Sequence, residues 1–193
     1  MKKLSRIVRV VMPVSLVLAI ITGALLFFAP FGLPAVVKGS NGFGAFDMKF
    51  NYTPDAVMTV ISHFKGDRDQ VYGTYFLIDY FFLSFTSLFM LSLPLSFYLK
   101  DDKHYLLFRA AAFSSIMYCL FNVIENILIS RMIAMTPLFT DGDANLSSGI
   151  TTLKWVFTGI WSFAAVMLVI LSLYDDSKRK KKRSSRTAVK KPE

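Results

Sequence analysis

Apolar residues in this chain fall into four long stretches separated by short polar segments. Val10 to Val37, Tyr80 to Leu99 and Trp155 to Tyr174 contain no charged residue. Each reaches the roughly 20 residues that a helix needs to cross about 30 Å of hydrocarbon. A further stretch from about Tyr105 to Met135 carries Arg109, Glu125 and Arg131. Its uncharged core, Ala110 to Ile124, is too short to cross alone, so it spans only if Glu125 sits inside protein or in a wet cavity. The pattern predicts an all-α membrane protein, a four-transmembrane-helix bundle with spans at about 10–33, 74–99, 105–135 and 150–174.

Polar residues inside the spans are periodic. Tyr72, Tyr75, Asp79 and Thr86 share one helical face, as do Ser115, Tyr118, Asn122 and Glu125, and Thr151, Lys154, Thr158 and Ser162. At the helical rise, Asp79 lies about 12 Å, Glu125 about 15 Å and Lys154 about 6 Å from the same end of the bundle, so the three are expected to meet. Two carboxyls facing one ammonium leave a charge to balance, by a proton shared between Asp79 and Glu125, by Arg131, or by a bound cation or amine. The expected binding site is Tyr75, Asp79, Tyr118, Asn122, Glu125 and Lys154, with Asp79 and Glu125 the candidates for an acid–base pair. The alternative is an ion-pair and amide network that only fixes helix register. In the first span Ser15, Ala19 and Gly23 make a ridge of small residues that lets a neighbouring helix come close.

The segment from about 38 to 70 carries structure of its own. Phe46, Met48, Phe50 and Tyr52 alternate with Asp47, Lys49 and Asn51, which predicts a short extended segment. Thr53 can then cap, and Pro54 open, a helix whose Val57, Val60, Ile61 and Phe64 form one stripe, with Gly66 as its stop. This loop is expected to form a lid on the outer mouth of the bundle, the alternative being a helix that rests on lipid.

Composition agrees with the spans: 54% of residues are hydrophobic and mean hydropathy is +0.49, too apolar for a soluble domain of this size. Charge adds orientation. Lys2, Lys3, Arg6 and Arg9 precede the first span, Lys100 and Lys103 separate the second and third, and Lys178 to Lys191 follow the last, which predicts that both termini are cytoplasmic. The first apolar run exceeds the usual core of about 7–15 residues in a signal peptide and no convincing small-x-small cleavage site follows, so it is read as a retained helix. Residues 175–193 read as a disordered basic tail that sets orientation or docks on anionic lipid headgroups; without aromatic residues it does not suit nucleic acid. A bacterial plasma membrane is expected from the Met-Lys-Lys start, with the endoplasmic reticulum as the alternative because Lys190-Lys191-Pro192-Glu193 is similar to a dilysine retrieval signal.

Several chemistries drop out. Cys119 is the only cysteine, and His63 and His104 fall on opposite sides of the membrane, so neither a disulfide nor a metal cluster is expected. Gly39, Gly42 and Gly44 lack the strand-then-helix setting of a phosphate cradle, no serine stands in a nucleophile elbow, and no cofactor is expected.

The run Phe46-Asp47-Met48 through Asn51-Tyr52-Thr53-Pro54, followed by Tyr75 and Asp79 and then Glu125-Asn126, resembles a pattern of small uncharacterised four-span bacterial membrane proteins, and brings no activity with it. In architecture the chain is also similar to the four-helix sterol-isomerase and sigma-2-receptor superfamily, although its long loop departs from that pattern. That likeness implies an intramembrane acidic pocket for cationic amphiphiles or sterol intermediates, with Asp79 and Glu125 as the acids. The expected function is therefore binding, or transport-associated handling, of a lipid or small molecule in contact with membrane lipids. A membrane enzyme acting by acid–base chemistry on a lipid or sterol-like substrate, and an assembly subunit without a ligand, are the alternatives.

Overall fold

The uncharged first stretch forms helix α1, Lys2–Phe28, which ends two residues before Pro30. Gly32 lets the chain turn back tightly, since a Cβ there would lie 2.4 Å from the Leu26 carbonyl oxygen. A short helix α2, Leu33–Gly39, follows with Pro34 in its first turn. Helix α3, Pro54–Ser62, starts as its sequence dictates, with the Thr53 hydroxyl accepting a bond from Ala56 N and Pro54 at the first position. The long helices are α4, Arg68–Tyr98, α5, Tyr105–Met135, and α6, Asp141–Val189. Asp67 caps α4 through Gln70 N at 3.0 Å. Thr140 and Asp143 cap α6 reciprocally, Thr140 N donating to Asp143 Oδ2 and Asp143 N to Thr140 Oγ1. This computed structural model describes residues 2–99, 103–136 and 138–189. Lys100 and the dilysine-like end at Lys190 and Lys191 lie outside the described residues.

Four helices are long and apolar enough to cross a membrane, and their outward faces carry large apolar side chains such as Val10, Ile20, Phe113, Phe163 and Leu173. A soluble protein would not leave so much apolar surface open, whereas lipid solvates it. The chain is a multi-pass helical membrane bundle in which α1 lies on α4, α4 on α5 and α5 on α6, while α4 and α6 touch only sparsely. The small-residue ridge of α1 works as the sequence predicts. Ser15 and Ala19 are buried, and a Cβ at Gly23 would come within 3.1 Å of the Phe82 ring of α4.

Helix α4 has 31 residues, about 46 Å at the helical rise, so it begins at Arg68 instead of near 74 and its first turns support the lid. Two other expectations change. Residues 46–52 do not form an extended segment: Phe46–Met48 is a single 3₁₀ turn that buries Phe46 and Asp47 together, while Phe50 points outward. Helix α6 continues to Val189 through the segment read as disordered; lysine and arginine favour helix, and extending an existing helix needs no new nucleus.

The lid is docked. Val57, Val60 and Ile61 of α3 join one buried cluster with Phe46, Tyr52, Tyr72, Tyr75, Ile129 and Met132, which ties the loop to α4 and α5. The helix stops at Ser62, earlier than Gly66, and Phe64 then lies against Gly39 so closely that a Cβ there would overlap the ring; Lys65 N donates to Gly39 O at 2.8 Å. Gly66 instead makes the left-handed turn into α4, at φ 98°. Ile61→Asp places a charge in this cluster and is expected to cost about 3 kcal/mol or more. Thr59→Asp, on the exposed face of the same helix, should stay within about 0.5 kcal/mol. Melting of both variants in detergent checks the pair, and equal melting would contradict docking.

Candidate functional site

Most of each polar stripe turns inward, while Ser162 at the end of the α6 stripe is exposed. Tyr75, Asp79, Tyr118, Asn122, Glu125, Thr151 and Lys154 are all buried, at the level where the lid covers α4, α5 and α6. Five of the six residues that the sequence groups, Tyr75, Asp79, Tyr118, Asn122 and Lys154, line one cavity, and Glu125, outside its lining, is bonded to Lys154. Their hydrogen bonds fall into two groups.

One group is a closed network. Lys154 Nζ donates to Glu125 Oε2 at 2.6 Å and to the Asp47 carbonyl oxygen at 2.8 Å, and lies 5.5 Å from the Trp155 ring centre. Glu125, 0% exposed, also accepts from the Thr151 hydroxyl. Nearby the Tyr52 hydroxyl donates to Ser147 Oγ at 2.6 Å; burial pushes that hydroxyl up to about 12, so it remains a donor. The lid adds its own carboxyl, because the Tyr75 hydroxyl reaches Asp47 Oδ2 at 2.9 Å and Oδ1 at 3.1 Å. These contacts fasten lid, α4, α5 and α6 to one another, and buried groups so paired hold register.

The second group faces open space. Asp79 Oδ2 accepts from Asn126 Nδ2 at 2.6 Å, a neutral partner, and the Asn126 side-chain oxygen has no partner of its own. Asp79 lines a cavity of ≈ 300 Å³ between α4, α5 and α6. Asp47 and Met48 of the lid and Leu26 of α1 help enclose it, and its wall carries seven aromatic side chains, those of Phe27, Tyr75, Phe82, Phe89, Tyr118, Trp155 and Trp161. Asn122 and Lys154 reach it, and so does Thr86, whose buried hydroxyl has no partner. Glu125 does not line it.

Asp79 and Glu125 therefore have separate partners, and among the described residues no hydrogen bond joins them. The expected direct sharing of a proton is absent. Arg131 does not balance the set either: it is 56% exposed at its side chain and lies 3.7 Å from Asp143. Among the described residues the site buries three carboxyls, Asp47, Asp79 and Glu125, with Lys154 the one buried cation. Among the described residues no three His, Cys, Asp or Glu side chains are placed so that they could hold a metal ion.

Sequence reasoning missed Asp47, Asn126, Tyr52 and Ser147. Asn126 is legible afterwards: consecutive helical residues point about 100° apart, so with α5 lying between α4 and α6, Glu125 can serve α6 while Asn126 serves α4. Asp47 looked like the wet face of a strand, and only the docking of the lid buries it. Comparison with protein-family models, with curated proteins and with solved structures finds no match for this chain.

Proposed function

We propose that this protein binds an amphiphilic cation, a lipophilic amine, in the cavity beside Asp79. The observation that carries the reading is the uneven pairing of the buried charges. Lys154 is already occupied by Glu125 and the Asp47 carbonyl, whereas Asp79 faces an aromatic cavity with an amide as its neighbour. A carboxylate in that setting calls for a counter-charge, a proton when the cavity is empty and an ammonium when it is filled. Aromatic faces favour the same ligand, since they attract a cation and also accept its apolar body. The volume is within the range of small-molecule sites. The Glu125–Lys154 network is then the frame of the site, and Asp79 its recognition residue. By the placement of lysine and arginine, we read the lid as facing outward and both termini as cytoplasmic.

Both tryptophans of the chain, Trp155 and Trp161, line the cavity, so intrinsic fluorescence reports its occupancy. Protein in lipid nanodiscs is titrated with decylamine and with decanol, which match in chain and differ in charge. The amine is expected to bind about tenfold or more tightly and to saturate. Equal affinity for the two would contradict the reading.

A further inference from the structure

A second concavity begins where the first one ends. It has a volume of ≈ 370 Å³ and runs along the seam of α4 and α6, past Leu93 on one side and Ala165, Val166, Val169 and Ile170 on the other. Phe89, Trp161 and Ser162 line both spaces, so this apolar groove adjoins the acidic cavity. The seam can stay open because α4 and α6 touch only sparsely, tied across it by Trp161 Nε1 donating to the Met90 carbonyl oxygen at 2.8 Å. Val166 and Ile170 are more than half exposed, on the lipid-facing side of the bundle.

Resting on the reading of Asp79 above, we infer that the ligand is a long single-chain amine that enters sideways from the lipid between α4 and α6, with its ammonium at Asp79 and its alkyl chain in this groove. Dimensions support the assignment. From Asp79 to Leu93 the wall of α4 runs about 21 Å at the helical rise. An all-trans chain of sixteen carbons measures about 19 Å from ordinary carbon–carbon bond lengths and angles. The order of chemistry also fits one molecule: charge at the lidded end, aromatic rings around the neck, and aliphatic residues beyond it. Lateral entry follows from where the space opens, since the lid closes the end of the bundle with a buried apolar cluster while the seam is open toward lipid.

The test uses the full chain in nanodiscs and hexadecylamine with a photoreactive diazirine at the chain terminus. Labelled positions are mapped by mass spectrometry, with and without excess octylamine, which competes for the charged end alone. Label is expected on the Leu93 and Val169–Ile170 segments, and it should fall about tenfold or more with octylamine and in Asp79→Asn. Label that octylamine displaces but that sits on the lid, or is spread evenly over α1 and α5, would overturn the groove assignment and leave the charged site standing. Label that responds neither to octylamine nor to Asp79→Asn would overturn both. Competition by octylamine reads the wild-type protein, so the outcome does not depend on how well the variant folds.

Discussion

Lys154→Met is expected to destabilise the protein by about 3–5 kcal/mol, the typical cost of removing one partner from a buried ion pair. The change leaves Glu125 fully buried with only the Thr151 hydroxyl against it, and it also removes the donor to the Asp47 carbonyl that fastens the lid. Glu125→Gln strands the ammonium instead, and should be destabilising for the same reason. The double variant removes both charges, keeps an amide beside Thr151, and is expected to recover most of the loss, because replacing a whole buried pair costs far less than breaking it. Melting temperatures of the two single variants and the double variant in detergent make the measurement. A Glu125→Gln protein as stable as the wild type would show that the carboxyl is not an ionised partner of Lys154.

Asp79→Asn should behave in the opposite way, leaving the fold intact and abolishing recognition of the amine. Asparagine keeps an oxygen where Asn126 Nδ2 donates, so the α4–α5 contact survives. It also removes a carboxylate whose hydrogen bond is to a neutral amide, while Lys154, across the same cavity, bonds to Glu125 and the Asp47 carbonyl, so stability is expected to change by no more than about 1 kcal/mol or to rise. Loss of a charged contact in a desolvated site costs about 2–5 kcal/mol of binding, equivalent to about 30-fold or more in affinity. Two carboxyls one helix apart are thus predicted to respond oppositely to the same substitution of amide for acid.

How far the sequence reaches can be judged residue by residue. Hydrophobic run length finds the first, second and fourth spans, and the third once Glu125 is placed inside the bundle, because the hydrocarbon core leaves a helix few choices. The inward stripes of α4, α5 and α6 and the small-residue ridge of α1 follow from helical period, and the Thr53 and Pro54 start of α3 from local backbone chemistry. Asp79 and Lys154 reach the cavity as the periodicity predicts. What period cannot give is which neighbour a residue meets. Glu125 lies on its expected face yet points into the network shared with α6, while Asn126, one residue on, is the group that meets Asp79. Asp47 is the other case. Its burial depends on the 3₁₀ turn at Phe46–Met48 and on the contact of α3 with the bundle, both of them tertiary effects, so alternation of side chains gave a strand where packing makes a plug.

The most direct test of the account is a binding titration in nanodiscs of wild-type protein and Asp79→Asn, each with decylamine and with decanol, read by the fluorescence of Trp155 and Trp161. The account predicts that Asp79→Asn melts like the wild type, loses about 30-fold or more in affinity for the amine, and binds the alcohol as the wild type does. A folded Asp79→Asn protein that binds decylamine with undiminished affinity would contradict it.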